Sequence, residues 1–532
     1  MIYIDCETTG LNPHTDRVAL FQYIADDNTA QALYNPSLEQ IHQILDQHDH
    51  IIGHNVAFDL GFLKYVPHQR LDDTLYLDRL VNFKEDTHSL DDVCKRIYGR
   101  DVYAHLDKKA MQKVKWGKKP PTPAELEYAL LDVQVLPEVY NTLSRKLIPA
   151  IKGVYNFDMK SIKAGLAIQQ HGLPILQDEI EEEIERVEGE ANRLVKLLHP
   201  LNPNSPKQVT KALGIDSSGD RVLAELQSKG NQLAEQIREV RGHLKYLNFL
   251  KKLGAEPRYY GTLSPAARSG RFTSSKENIQ NLPRDTKRFI GSSETVIIAA
   301  DFAQLELRTI AAITGDETMC QLFVEGADLH DYAAEKLFGA DFTKQQRQIA
   351  KVFNFSTLYG AGSATIGLML LTQTGIVLPE HEVTELKSIW KRTFSGIAEW
   401  QRQGSTRHEM GMPHRTPHGR PYMSARYTDH LSIENQGAGA EVARIALHYI
   451  LEHLPSEAKL INFIHDSYIV EAPNDPVVYK SAAKVMYDGM IFAWDRAPFE
   501  KHGIPMPVDV GVAHDLKTAD GIEKCFYVYS GE

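Results

Sequence analysis

The sequence predicts a multidomain α/β chain. Three observations carry this. The 532 residues amount to three or four domains at roughly 150 residues each. Residues 1–150 alternate β-leaning apolar runs with helical patterns. Residues 156–255 turn into long helical stretches rich in Glu, Leu, Lys and Arg, and 256–532 are mixed again.

Taken in order, MIYIDCE, RVALFQYIAD and DHIIGHN read as strands, and AELEYALLDVQVLPEVYNTL as a helix by its apolar spacing. KKAMQKVKWGKKPPTP is basic and then proline-broken, a loop that either faces a polyanion or is simply solvated. DEIEEEIERVEGEANRLVKLL and NQLAEQIREVRGHLKYLNFLKKL are long helices flanking LNPNSPKQVTKALGI, so an antiparallel arm with a small tip is expected. Its last part, RGHLKYLNFLKKLG, interleaves cations with aromatics and suits a nucleic-acid backbone. ETVIIAADF is a buried-strand pattern and INFIHDSYIVEAP a hairpin pattern.

Composition excludes several classes. Apolar residues make up 42% and charged ones 24%, which rules out a disordered or fibrous chain. No window of 18 apolar residues predicts a membrane helix, and MIYIDCETTG lacks the features of a secretory signal. Cys6, Cys94, Cys320 and Cys525 show no CxxC spacing, which argues against zinc or disulfides and for a reducing cytoplasm. Lys+Arg is 59 against 70 Asp+Glu, a net charge of −11. Such acidity disfavours nucleic acid unless it is concentrated in metal centres while cations gather locally.

Two sets of carboxylates stand out. Asp5 and Glu7 alternate on the first strand and share a face; Asp59 follows a strand-turn pattern in GHNVAFDLGFL; Tyr128 and Asp132 are helix-face neighbours in YALLD. Singly these are caps or solubilising residues, but a lone Asp5 in an apolar strand would be costly. Together the four carboxylates could hold two Mg²⁺ roughly 3.5–4 Å apart for phosphodiester hydrolysis. In the second half, Asp301 ends VIIAAD and Asp466 centres INFIHDSYIV. Alone they read as turn formers; from two strands they suit a two-metal phosphoryl-transfer site. Arg347, Lys351, Phe355 and Tyr359 recur every four residues, each displaced by about 40° on a helix, with Gly360 as its cap. The plain alternative is a solvated basic edge. The functional one is a clamp for a triphosphate with rings stacked on base and sugar.

These motifs resemble known families. DxE, HNVAFD and YALLD are similar to the three motifs of DEDDy 3′→5′ exonucleases. That resemblance implies Asp5, Glu7, Asp59 and Asp132 as metal ligands, Tyr128 orienting the attacking water, and Leu11 wedging at the terminal base. DFAQLELR, RQIAKVFNFSTLYG and FIHDS resemble motifs A, B and C of the family A DNA polymerases, typified by bacterial DNA polymerase I. SGRFTSSKENIQNLP resembles that family's primer-template segment, and NSPKQVTKALG its thumb tip.

The implied fold is an RNase H-like exonuclease domain over 1–150 joined to a right-hand polymerase. Its thumb would span 151–262, its palm 263–322 and 415–532, and its fingers 323–414. The implied activity is template-directed DNA synthesis with proofreading, needing two Mg²⁺ per site (or Mn²⁺), primer-template DNA and dNTPs. Helicase, primase or single-strand-binding proteins would be further partners, with no membrane. Asp301, Asp466 and the Phe302 carbonyl would be metal ligands. Arg347, Lys351 and His330 would hold the triphosphate, with Lys351 protonating the leaving group. Glu306 would be a steric gate against ribose. Gln304, Phe355 and Tyr359 would line the nucleotide pocket, and Arg271, Asn278, Gln280, Asn281, Gln436 and His465 would meet the primer-template, largely in the minor groove.

Two features depart from the pattern. Motif C usually has glutamate where Ser467 stands, a serine reminiscent of single-subunit phage RNA polymerases. Asp5 lies almost at the start, so a 5′-nuclease domain is expected to be absent, as in bacteriophage members that replicate phage genomes. The competing readings are a single-subunit RNA polymerase, opposed by Glu306 and the exonuclease motifs, and a nucleic-acid-binding factor with inactive sites, opposed by the complete set of carboxylates.

Overall fold

The first strand begins with Ile2 and Ile4, both with no exposed surface, and this apolarity places it at the centre of a sheet. The computed structural model describes residues 1–25, 29–111, 113–275 and 277–531. Gln112, in the basic 108–119 stretch, and Lys276, in SGRFTSSKENIQNLP, lie outside the described residues.

Strands β1 (Ile2–Thr8), β2 (Val18–Ile24), β3 (Ala30–Tyr34), β4 (His50–Gly53) and β5 (Arg70–Asp73) form a sheet of order β3-β2-β1-β4-β5. The first three make an antiparallel meander; β4 pairs parallel with β1 and with β5. Parallel pairing requires crossovers, and helices Leu38–Leu45 and Val56–Phe62 supply them. Helix Pro123–Arg145 starts at a Thr122/Glu125 capping box with proline in its first turn and packs on β1 and β2.

Helix Pro149–His171 follows at once. Ile151, Val154, Tyr155, Met159, Ile162 and Leu166 sit in the N-terminal core, whereas Ala164 and Ile168 sit in the C-terminal one. The helix that opens the expected 151–262 thumb therefore also joins the two cores. Its Asp158, fully buried, accepts from Arg420 Nη1 at 3.0 Å and Arg444 Nη2 at 2.7 Å.

The predicted arm consists of helices Gln177–Leu197 and Gln232–Leu253, packed on each other. Its tip holds helices Pro206–Leu213 and Asp220–Ser228 around a small core of Leu194, Leu198, Val209, Leu223, Ala234, Ile237 and Val240.

A second five-stranded sheet runs in the order Lys459–Ile464, Ser467–Pro473, Thr295–Phe302, Val508–Ala513, Tyr527–Tyr529, all antiparallel. Helices Tyr427–His453 and Pro476–Asp495 pack on each other, and the latter on the sheet. Beside it, helices Leu329–Phe338, Lys344–Leu358, Ser363–Thr374 and Glu380–Thr393 enclose Phe353 and Trp390. The Lys344–Leu358 helix ends as expected: Gly360 takes a left-handed φ of +76° and donates its N–H to the Thr357 carbonyl at 2.9 Å. Among the described residues no helix is long and apolar enough to cross a membrane.

Candidate active sites

In the N-terminal domain, β1 presents Asp5 and Glu7 toward Asp132 on helix Pro123–Arg145. One ligand atom from each lies within 4.8 Å of the others. Burial, and then the charge of Asp132, push the Asp5 carboxyl up to about 8; burial and the charge of Asp5 raise Glu7 as well. Asp59 stands outside this trio. It is buried on helix Val56–Phe62 and raised by burial and by Asp5, and its charge in turn helps burial raise the neighbouring Cys6 thiol. Tyr128 sits one turn before Asp132, its ring centroid 6.1 Å from that of Tyr103, and Tyr103 Oη donates to Asp132 Oδ1 at 2.6 Å. Leu11 is 57% exposed in a loop closed at its base by Thr9 and Arg17.

The position of Asp59 has a local cause. Asn55 takes a left-handed φ of 63° at the helix start. Asp73 holds that turn, accepting from the N–H groups of Asn55 (3.0 Å), Val56 (2.9 Å) and Leu75 (2.8 Å). Its own carboxyl is fully buried and pushed up to about 6.

In the C-terminal domain the strand register brings the second pair together. Asp301 lies opposite Ser467 on one side and Asp509 on the other. Asp466 occupies the two-residue turn that joins Ile464 to Ser467. His465 in that turn and Gln304 just after Asp301 both take left-handed φ values, 58° and 53°. Each costs about 1–2 kcal/mol in a residue with a β-carbon, so both loops flanking the aspartates carry backbone strain. Burial, then Asp301, raise Asp466 to about 7, with Arg271 opposing; burial and Asp520 raise Asp301 to about 6, with Lys287 opposing.

Glu306 is held from three sides. Its carboxylate forms an ion pair with Arg271 and accepts from Tyr359 Oη at 2.6 Å. Asn435 Nδ2 donates to the Glu306 carbonyl and to Tyr359 Oη, both at 3.2 Å. Along the Lys344–Leu358 helix, Arg347 is paired with Asp328 (2.7 Å) and Asp331, while Lys351 is exposed and Phe355 lies 5.8 Å, centroid to centroid, from His330. Trp390 Nε1 is a donor only and meets Asn354 Oδ1 at 2.7 Å. The Asn354 amide therefore donates to His330 Nδ1 at 2.9 Å, which leaves the neutral ring's proton on Nε2.

The remaining expected residues are dispersed. Asn278 and Asn281 are exposed. The Gln280 side chain donates to the Phe463 carbonyl at 2.9 Å, bracing the hairpin strand. Gln436 is half-buried beside Asn435.

Residues 170–518 match the family model for DNA polymerase family A. The chain belongs to that family. Residues 1–148 match the model for 3′-5′ exonucleases. The family A chain is thus a DNA-directed DNA polymerase with a 3′→5′ exonuclease domain, and both activities are metal-dependent in such enzymes. DNA polymerase I of Aquifex aeolicus is 26% identical over 537 residues, covering 89% of each chain. The thermostable DNA polymerase I of Thermus aquaticus is 25% identical over 399 residues, 67% of this chain and 46% of that protein. A solved structure, the POL domain of Pol1 from M. smegmatis in complex with DNA primer-template and dNTP, superposes with a TM-score of 0.77. It covers 98% of this chain and 96% of that one at 16% identity, a likeness of fold.

Sequence reasoning missed Tyr103, Cys6, Asp73, Asn354 and Asn435. Only Asp73 left a local signal, an aspartate directly before a helix start in LDDTLYL. The others act through contacts that no spacing encodes.

Proposed function

We propose that this polymerase extends a primer on template DNA with deoxynucleoside triphosphates and excises 3′ ends in its N-terminal domain, using Mg²⁺ at both centres. The observation that carries the reading is the strand register that sets Asp301 beside the Asp466 turn, next to the Glu306–Arg271–Tyr359 cluster. Crowded carboxylates raised by burial and by one another are an oxygen donor set that a hard divalent cation would relieve.

Asp301, Asp466 and the Phe302 carbonyl would hold the metal in the palm; Asp5, Glu7 and Asp132, with Asp59 beside them, would hold it in the exonuclease. Bound Mg²⁺ supplies a more acidic attacking hydroxyl or water and offsets charge on the phosphate. Lys351, Arg347 and the His330 Nε2–H donate to triphosphate oxygens, and Lys351 gives a proton to the departing pyrophosphate. Phe355, Tyr359 and Gln304 line the nucleotide. Glu306, immobilised by Arg271 and Tyr359, meets the sugar edge and rejects a 2′-hydroxyl. Tyr128 orients the water that cleaves the terminal phosphodiester, and Leu11 wedges at its base. Arg271, Asn278, Gln280, Asn281, Gln436 and His465 line the duplex path. In this reading 151–262 serves as thumb, 263–322 and 415–532 as palm, and 323–414 as fingers.

Primer extension and single-strand degradation, measured side by side, test it. Asp301→Ala and Asp466→Ala should each abolish extension and spare degradation, and Asp5→Ala with Glu7→Ala should do the reverse. Extension surviving in both palm variants overturns the assignment.

A further inference from the structure

The lysine-rich segment between Tyr103 and Tyr128 has no part in the function above. Six lysines fall within residues 108–119, and no carboxylate occurs between Asp107 and Glu125, in a chain whose net charge is −11. Lys109, Lys113, Lys115, Lys118 and Lys119 are exposed, and among the described residues none has a hydrogen-bonded carboxylate. Apart from Glu125, whose carboxyl is lowered in part by Lys119, the segment carries little counter-charge for a solvated loop in an acidic protein.

Its anchors fix where it lies. The segment departs just after Tyr103, whose hydroxyl is hydrogen-bonded to Asp132. It returns in the helix that carries Tyr128 and Asp132. Midway, Gly117 takes a φ of +79° and rests on the base of the Leu11 loop. Arg17 Nη2 donates to its carbonyl at 3.4 Å, and a β-carbon at 117 would stand 2.8 Å from Thr9 Cγ2. Thr9 is two residues beyond Glu7. The segment is thus anchored near Asp132 by Tyr103 and at the end of β1 by Gly117, with half-buried Trp116 next to the second anchor.

We propose that Lys109, Lys113, Lys115, Lys118 and Lys119, with Trp116, form a strap for single-stranded DNA, holding the unpaired 3′ end over the exonuclease carboxylates. The ammonium groups engage successive phosphates and Trp116 stacks on a base. The strap rests on the reading of Asp5, Glu7 and Asp132 as the excision centre. It also compensates for that centre, whose three carboxylates would repel a polyanion at longer range.

The test uses the full chain carrying Lys113→Gln, Lys115→Gln, Lys118→Gln and Lys119→Gln together, and separately Trp116→Ala. All four lysines are exposed, and a melting curve verifies folding. For Mg²⁺-dependent degradation of a single-stranded oligonucleotide, the quadruple variant should raise KM at least tenfold and leave kcat within twofold. The slope of log affinity against log salt should fall by about 2–3, at about 0.7 for each phosphate no longer neutralised. Trp116→Ala should raise KM several-fold, and extension of a matched primer-template should be unchanged in both. Unchanged KM and salt slope overturn the strap. So does equal weakening of matched primer-template extension, which would make the segment a general DNA surface. Normal DNA handling with lost binding of polyglutamate would make it a docking site for an acidic protein and overturn it too. The Asp5→Ala, Glu7→Ala variant runs alongside: if it still degrades the oligonucleotide, the excision centre itself is misassigned and the strap falls with it.

Discussion

Asp5 is stable where it is only if something offsets its charge. An aspartate in an unfolded chain titrates near 3.9, and this one titrates near 8 when folded. The folded protein therefore keeps a proton that the unfolded chain has lost. Without metal, the cost of folding is absent below pH 4 and grows until about pH 8. Asp5→Asn should accordingly raise the melting temperature in EDTA by several degrees at pH 8 and by almost nothing at pH 4, while abolishing excision. Calorimetry across that range checks it, and a pH-independent difference would refute the charge argument. At the other centre, Tyr359→Phe removes one hydrogen bond from the Glu306 carboxylate and keeps the ring. About 1 kcal/mol of positioning is at stake, so discrimination against ribonucleotides should drop roughly fivefold. Glu306→Ala should drop it further, and competition between rNTP and dNTP measures both.

Among the elements, the connector helix Pro149–His171 is the one whose alteration should be felt most. Asp158 in its middle faces two guanidinium groups in a fully buried setting, with Arg444 also bonded to Ser161. Removing one partner of a buried ionic cluster leaves uncompensated charge, typically costing about 3–5 kcal/mol. Asp158→Asn should therefore lower the urea midpoint sharply, more than substitution at the exposed Lys160–Glu452 pair. The periodicity of strands, arm helices and the 344–358 helix is plain in the residue pattern, because each buries one face. The catalytic aspartates are plain because charge in an apolar run needs a reason. What a residue pattern leaves out is the partner: it shows that a helix such as Pro149–His171 is buried, not that it is shared between two cores. Nor does spacing reveal that Arg347 is already engaged by Asp328 and Asp331, carboxylates 19 and 16 residues away.

On the scale of the whole molecule, two activities share one connecting helix. The arrangement of Asp301 opposite Ser467 depends on pairing residues 166 apart, which only tertiary structure creates. The likeness in fold at 16% identity indicates how little of the sequence this fold constrains. The link has a practical corollary for anyone wanting a version without proofreading. Cutting the chain after residue 148 would unroof Ile151, Val154, Tyr155, Met159, Ile162 and Leu166, a greasy ridge about four helical turns long. Such a truncate should be sticky, self-associating in light scattering at concentrations where the parent stays monodisperse. Disarming the nuclease by point substitution leaves the ridge roofed.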